Sequence, residues 1–82
     1  MDLKNLAIII EGENRVAKYF NDPLIDINAL TKEDAKRLQS RLESNLSPEV
    51  LYQDGERSHA EAMRYQRLYI AAQAELKNTG LI

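Results

Sequence analysis

Residues 59–78, HAEAMRYQRLYIAAQAELKN, carry the pattern that decides the fold. Ala62, Tyr65, Tyr69, Ala72 and Leu76 follow one another three or four positions apart, which places them on one face of an α-helix. Met63, Ile70 and Ala74 form a second, thinner stripe roughly opposite, interrupted by Arg67. A helix on the surface of a small monomer needs only one apolar face. A second face implies a central helix, or a helix that also meets another molecule. The ends of the segment are marked as well. Ser58-His59-Ala60-Glu61 has the form of a capping box, with Ser58 at the cap and Glu61 reaching back. Gly80 stands where a C-terminal cap falls.

Working back toward the N-terminus, the spacing predicts a helix from about Leu3 to Phe20. Leu3, Leu6, Ala7, Ile9, Ile10, Val16, Ala17 and Phe20 fill one broad arc of its wheel, and Lys4, Glu11, Arg15 and Lys18 cluster on the other side. The competing reading is a strand at Leu6–Ile10, because three consecutive isoleucines favour β structure. The coherent polar face over four turns favours the helix. Asn21-Asp22-Pro23 ends it, since the residue before proline avoids the α region. Leu24, Ile25, Ile27 and Leu30 make an apolar connector that is expected to pack onto the core.

A second helix is predicted over about 32–45, capped by Thr31 and carrying Glu33 and Asp34 in its first turn, where negative charge suits the helix dipole. Ala35, Leu38 and Leu42 mark its buried stripe, and Glu33 stands four residues before Arg37, the favourable order for a surface ion pair. Ser47-Pro48 starts a short helical turn near 48–52, Ser47 as cap and proline at the first helical position. The Asp54-Gly55 pair is a turn signal. The expected fold is therefore all-α: a single helical domain, 1–82, of three helices (about 3–20, 32–45 and 59–78) and a short helical turn.

Composition sets outer limits. With 82 residues, one domain is the reasonable count. Such a chain buries only about 60% of the surface its unfolded form exposes, so association is a common source of extra stability. The chain lacks cysteine, which excludes disulfides and thiolate metal sites. No run approaches the length of a membrane span, and Met1-Asp2-Leu3-Lys4 lacks the basic and apolar regions of a signal peptide. A cytoplasmic location and no membrane partner are expected. Eleven basic and 13 acidic residues give a net charge of −2, which supplies no general attraction to nucleic acid.

The chemistry-bearing residues point away from catalysis. His59, the only histidine, reads as an exposed residue in a first helical turn; alone, it makes a poor metal ligand. Asp54-Gly55-Glu56 lacks the alternating oxygen ligands of a calcium loop and reads as a turn. Asp22 and Asp26 read as turn and cap residues. No nucleophile elbow, P-loop or dinucleotide fingerprint is present. No enzyme activity, cofactor or metal is expected.

The basic residues of the second helix, Lys32, Lys36, Arg37 and Arg41, fall on both flanks among Glu33, Asp34 and Glu43, as on a mixed solvated face. Arg57, Arg64 and Arg67 lie near Tyr52, Tyr65 and Tyr69, a combination found both at nucleic-acid surfaces and at protein hot spots. With a net negative chain, protein contact is the preferred reading. Tyr65 and Tyr69, one turn apart, either cover the core edge with their hydroxyls in water or anchor a partner.

The segment 46–56, LSPEVLYQDGE, together with the following helix carrying Arg67, Leu68 and Ala74-Glu75-Leu76, resembles small uncharacterised helical accessory proteins of tailed phages and bacteria. The resemblance spans about 35 residues and carries no functional residue with it. It implies a small accessory protein acting on a host or replication component, in the host cytoplasm if phage-encoded.

The leading expectation is a non-catalytic protein-interaction module, homodimeric, that also meets another protein. Its surface is assigned to Met63, Arg67, Ile70 and Ala74, with Tyr65 and Tyr69, and the first helix, whose apolar arc is too broad for a three-helix monomer to cover, is a second candidate for the dimer interface. One alternative is a weak nucleic-acid binder using Lys32, Lys36, Arg37, Arg41, Arg57 and Arg64. A second is a phage-type inhibitor of a host enzyme.

Overall fold

The computed structural model describes residues 2–82, and every regular element in them is helical. In chain order these are α1 (Lys4–Tyr19), a 3-10 turn (Ile27–Ala29), α2 (Lys32–Asn45), α3 (Pro48–Tyr52) and α4 (His59–Asn78). The isoleucine run lies inside α1. Successive residues of a helix are 100° apart on its wheel, so Ile9 and Ile10 reach the core while Ile8 stays half exposed.

Leu3 offers no side-chain cap to α1. Two carboxylates serve instead: Asp2 Oδ1 accepts the Lys4 N–H at 2.9 Å, and Glu75 reaches across from α4. Glu75 Oε1 accepts the backbone N–H of Leu6 at 2.9 Å, and Oε2 accepts from Asn5 Nδ2 at 2.7 Å. A carboxylate is thus set against orphan donors at the positive end of the helix dipole. At the other end Asn21 turns left-handed (φ 59°) before Pro23 and stops α1.

Asn14 holds the connector at Ile25. Asn14 Nδ2 donates to the Ile25 carbonyl and Asn14 Oδ1 accepts the Ile25 N–H, both at 2.8 Å. That pair of bonds satisfies a backbone unit that enters the core as Ile25 is buried. Leu24 remains exposed, so only part of the apolar connector packs down.

Thr31 makes a full capping box for α2: its Oγ1 accepts from the Asp34 N–H at 3.0 Å and Asp34 Oδ2 accepts from the Thr31 N–H at 3.1 Å. Three local expectations are corrected. Arg37 does not pair with Glu33; its guanidinium turns inward to donate to the Pro23 carbonyl at 3.0 Å and to approach Glu13 at 3.9 Å. Ser47 does not cap α3; its hydroxyl donates to the Ser44 carbonyl at 2.8 Å, closing the end of α2. Ser58 Oγ does accept from the Glu61 N–H at 3.2 Å, but the return bond from the Glu61 side chain is not made.

The chain between α3 and α4 passes through three consecutive left-handed residues, Gln53 (φ 46°), Asp54 (φ 57°) and Gly55 (φ 88°). Only the glycine is at ease there; an L-residue in this region costs about 1–2 kcal/mol. Gln53 is exposed, so nothing but backbone conformation is at stake in replacing it. Gln53→Gly is therefore expected to raise the melting temperature by about 4–8 °C. A thermal melt followed by circular dichroism checks this, and an unchanged or lower midpoint contradicts it.

α4 packs against α1, α2 and α3, so it is the central helix. The core joins Leu6, Ile9 and Ile10 of α1, Ile25 of the connector, Ala35, Leu38 and Leu42 of α2, and Ala72 and Leu76 of α4. After Gly80 (φ 76°) the chain reverses and Leu81 packs against this cluster. The molecule measures 36 × 29 × 17 Å. A thickness of 17 Å admits two packed helices and no third layer, since helix axes pack about 8–10 Å apart. Every helix therefore keeps an outer face.

Gly12 lies in the middle of α1, in ordinary helical conformation, and a Cβ built on it would meet nothing within 4 Å. Glycine there weakens the helix by about 1 kcal/mol relative to alanine. No turn, strain or close neighbour in the chain accounts for it.

Candidate functional site

The outer faces of α1 and α4, with Phe20 just past the end of α1, carry most of the exposed large apolar side chains; Leu24, Val50 and Ile82 lie elsewhere. On α1, Ile8 and Val16 are each 49% exposed, and the edge-on pair Tyr19 and Phe20 is more exposed still. Val16 and Phe20 thus lie on the part of the predicted α1 arc that α4 and α2 leave uncovered. Ala7 and Leu3 are half-buried. On α4, Ile70 is 52% exposed, Arg67 and Ala74 are exposed, and Met63 is half-buried. The second stripe of α4 therefore faces solvent over most of its length.

Tyr65 and Tyr69 sit on the α1 side of α4. They are stacked on each other with ring centroids 6.0 Å apart. Arg57, from the turn before α4, places its guanidinium 3.9 Å from the Tyr65 ring centre and donates to the Leu51 carbonyl at 3.0 Å. One side chain thus ties α3 to the tyrosine pair through a cation–π contact and a hydrogen bond. Burial pushes the Tyr69 hydroxyl above the ordinary tyrosine value, and the Arg57 charge opposes that rise. The phenol stays protonated and neutral at physiological pH, as suits a residue at the edge of an apolar surface.

Between the tyrosine face of α4 and the outer face of α1 runs an open groove. Ile8, Gly12 and Val16 form one wall; Tyr65, Leu68 and Tyr69 form the other; Arg41 and Asn45 of α2 lie at one side. The helices are antiparallel here, with Glu75 at the start of α1 and Tyr65 level with its later turns. Of the six surface residues expected from the sequence, Tyr65 and Tyr69 line this groove, whereas Met63, Arg67, Ile70 and Ala74 do not. The broad arc of α1 makes that helix a second candidate for the surface from sequence, but the residues that line the groove, with Gly12 at their centre, are not named by it. A glycine inside an otherwise regular amphipathic helix is the signal that marks it.

The basic residues are dispersed. Arg41 Nε lies 2.5 Å from Glu13 Oε1, and Arg37 shares the same carboxylate. Arg57 is engaged as described. Lys32, Lys36 and Arg64 are exposed, the first two on α2 and the last on α4. Three of the six cations are thus held by internal partners. His59 is exposed, its Nδ1 2.8 Å from the Tyr52 hydroxyl and its ring stacked at 6.1 Å on that of Tyr52. Among the described residues no three acidic or histidine side chains gather in a way that could hold a metal ion, and no helix is long and apolar enough to cross a membrane.

These features define the class: a small all-α domain with an apolar groove between its two longest helices. No protein-family model matches the chain, and neither the curated proteins nor the solved structures compared with it provide a match.

Proposed function

We propose that the chain is a non-catalytic protein-interaction module that pairs with a second copy of itself and serves as a small accessory or regulatory protein. The observation that carries this reading is the surface the fold leaves open. A folded monomer of 9.4 kDa is expected to expose about 5,000 Å². This chain exposes 5671 Å². The excess, roughly 650 Å², is close to the about 800 Å² that each partner buries in a complex of standard size. Its radius of gyration, 12.9 Å, likewise exceeds the about 12 Å expected for the chain length. The outer helix faces carry exposed Ile8, Val16, Tyr65 and Ile70, aliphatic and aromatic groups suited to an interface core.

Association of the folded state alone raises apparent stability with protein concentration. The melting temperature is therefore expected to rise by several degrees between micromolar and hundreds of micromolar chain. A midpoint independent of concentration over that range contradicts the proposal.

A further inference from the structure

We infer that the self-association surface is the outer stripe of α1, and that two chains cross there, antiparallel, with Gly12 of one against Gly12 of the other. The inference rests on the reading of the domain as a self-pairing module, and it names the surface and its geometry.

Three observations lead to it. The first is Gly12 itself. It weakens α1, yet its φ is ordinary and a Cβ would find open space, so no requirement of the single chain explains it. A helix surface with its side chain removed at one point permits the backbone of another helix to approach closely at that point, as interfaces built on small residues do. The second is position. Ile8, Gly12, Val16 and Tyr19 fall within one narrow arc of α1, and the non-glycine members are exposed, Tyr19 to 85%. The glycine is thus the dip in an exposed apolar ridge.

The third is self-complementarity. A two-fold axis through Gly12, perpendicular to α1, brings Ile8 of one chain level with Val16 of the other, twice over. The apolar residues on either side of the dip thereby cover each other, as an isologous contact requires. The Tyr65–Tyr69 wall of α4 borders the same groove and extends the contact beyond the two crossing helices. The outer stripe of α4 offers a weaker match. Arg67 stands within it between Met63 and Ile70, and a two-fold through that stripe would bring two guanidiniums together with no acidic residue in the stripe to receive them.

The test compares the wild type and three variants of the chain in sedimentation velocity from tens to hundreds of micromolar, with circular dichroism as the check on folding. Gly12→Gln fills the dip with a good helix former whose Cβ meets no neighbour. It is expected to weaken dimerisation by about tenfold or more, while raising the melting temperature of the dilute, dissociated protein by about 4 °C or more. Val16→Glu places two carboxylates against the apolar contact and is expected to leave only monomer. Ile70→Glu, on the far face of α4, is expected to leave the dimer intact.

Gly12→Gln carries the conclusion on its own should Val16→Glu fail to fold. A dimer that survives Gly12→Gln overturns the α1 crossing. Loss of the dimer in Ile70→Glu alone overturns it too, moving the contact to α4 while the self-pairing module stands. A wild-type chain that stays monomeric at hundreds of micromolar overturns both.

Discussion

Truncation of Leu38 to alanine is expected to lower the melting temperature by about 10–30 °C. Leu38 has no exposed surface and lies in the cluster that joins α1, α2 and α4. Removing a buried leucine side chain costs about 2–5 kcal/mol, because lost burial is compounded by the cavity left behind. Against this stands a total stability of about 4–12 kcal/mol for a chain of 82 residues. The substitution therefore removes at least about a sixth of the total, and where the total lies near about 4 kcal/mol a cost at the upper end leaves the chain largely unfolded. Ala35, one turn earlier on the same face, is too small to fill the space. Urea or thermal unfolding of Leu38→Ala measures the loss. A midpoint within about 3 °C of the wild type would mean that α2 is not docked as described.

The second large effect concerns the buried carboxylate. Among the described residues Glu13 is the one buried charged residue. Arg41 Nε stands 2.5 Å from it and Arg37 Nη2 3.9 Å. Removing one member of such a pair leaves a charge in a poorly solvated place, typically at a loss of about 3–5 kcal/mol. Here Arg37 remains and the Arg41 side chain is half exposed, so Arg41→Ala is expected to cost about 2 kcal/mol. Replacing the carboxylate itself has a different consequence. Glu13→Leu removes the charge together with the need to compensate it, and is expected to be neutral or stabilising within about 1 kcal/mol. In the Glu13→Leu background Arg41→Ala should then be nearly silent. A double-mutant cycle therefore yields a coupling energy of about 2 kcal/mol, and additive losses would contradict the arrangement.

Much of the fold is written in local sequence. Thr31 with Asp34, Pro48 at the start of α3, Ser58 before α4 and Gly80 after it are signals that act within one turn of chain, and the helices begin and end where these residues stand. Other features arise from residues far apart. Glu75 reaches the start of α1 across 70 positions, and no spacing rule links it to Asn5, whereas the Asp2 carboxylate that accepts the Lys4 N–H is a local neighbour. Arg37 has Glu33 one turn away, yet its guanidinium is drawn to Glu13, a carboxylate with little water to solvate it. Gln53 and Asp54 adopt the left-handed region because the short link between α3 and α4 must reverse quickly, although only Gly55 advertises such a turn.

The candidate surface was legible in the same partial way. The wheel of α1 gives the angular width of its apolar arc, but which part of the arc is covered depends on where α4 and α2 dock. Leu6, Ile9, Ile10 and Ala17 are buried, while Val16 and Phe20, on the same arc, are left outside. The i, i+4 spacing of Tyr65 and Tyr69 announces their stacking on one face. It does not announce that Arg57 would come from the preceding turn to lie over Tyr65, nor that this face would look toward Gly12 across a groove.

In the proposed pairing, this flat domain completes itself with a second copy. Sedimentation equilibrium of the wild-type chain, from micromolar to hundreds of micromolar, tests it most directly. The expected weight-average mass climbs from near 9.4 kDa to twice that value and stops there, as a closed two-fold contact demands. A mass that stays at one chain throughout, or one that rises past two chains without a plateau, would contradict it.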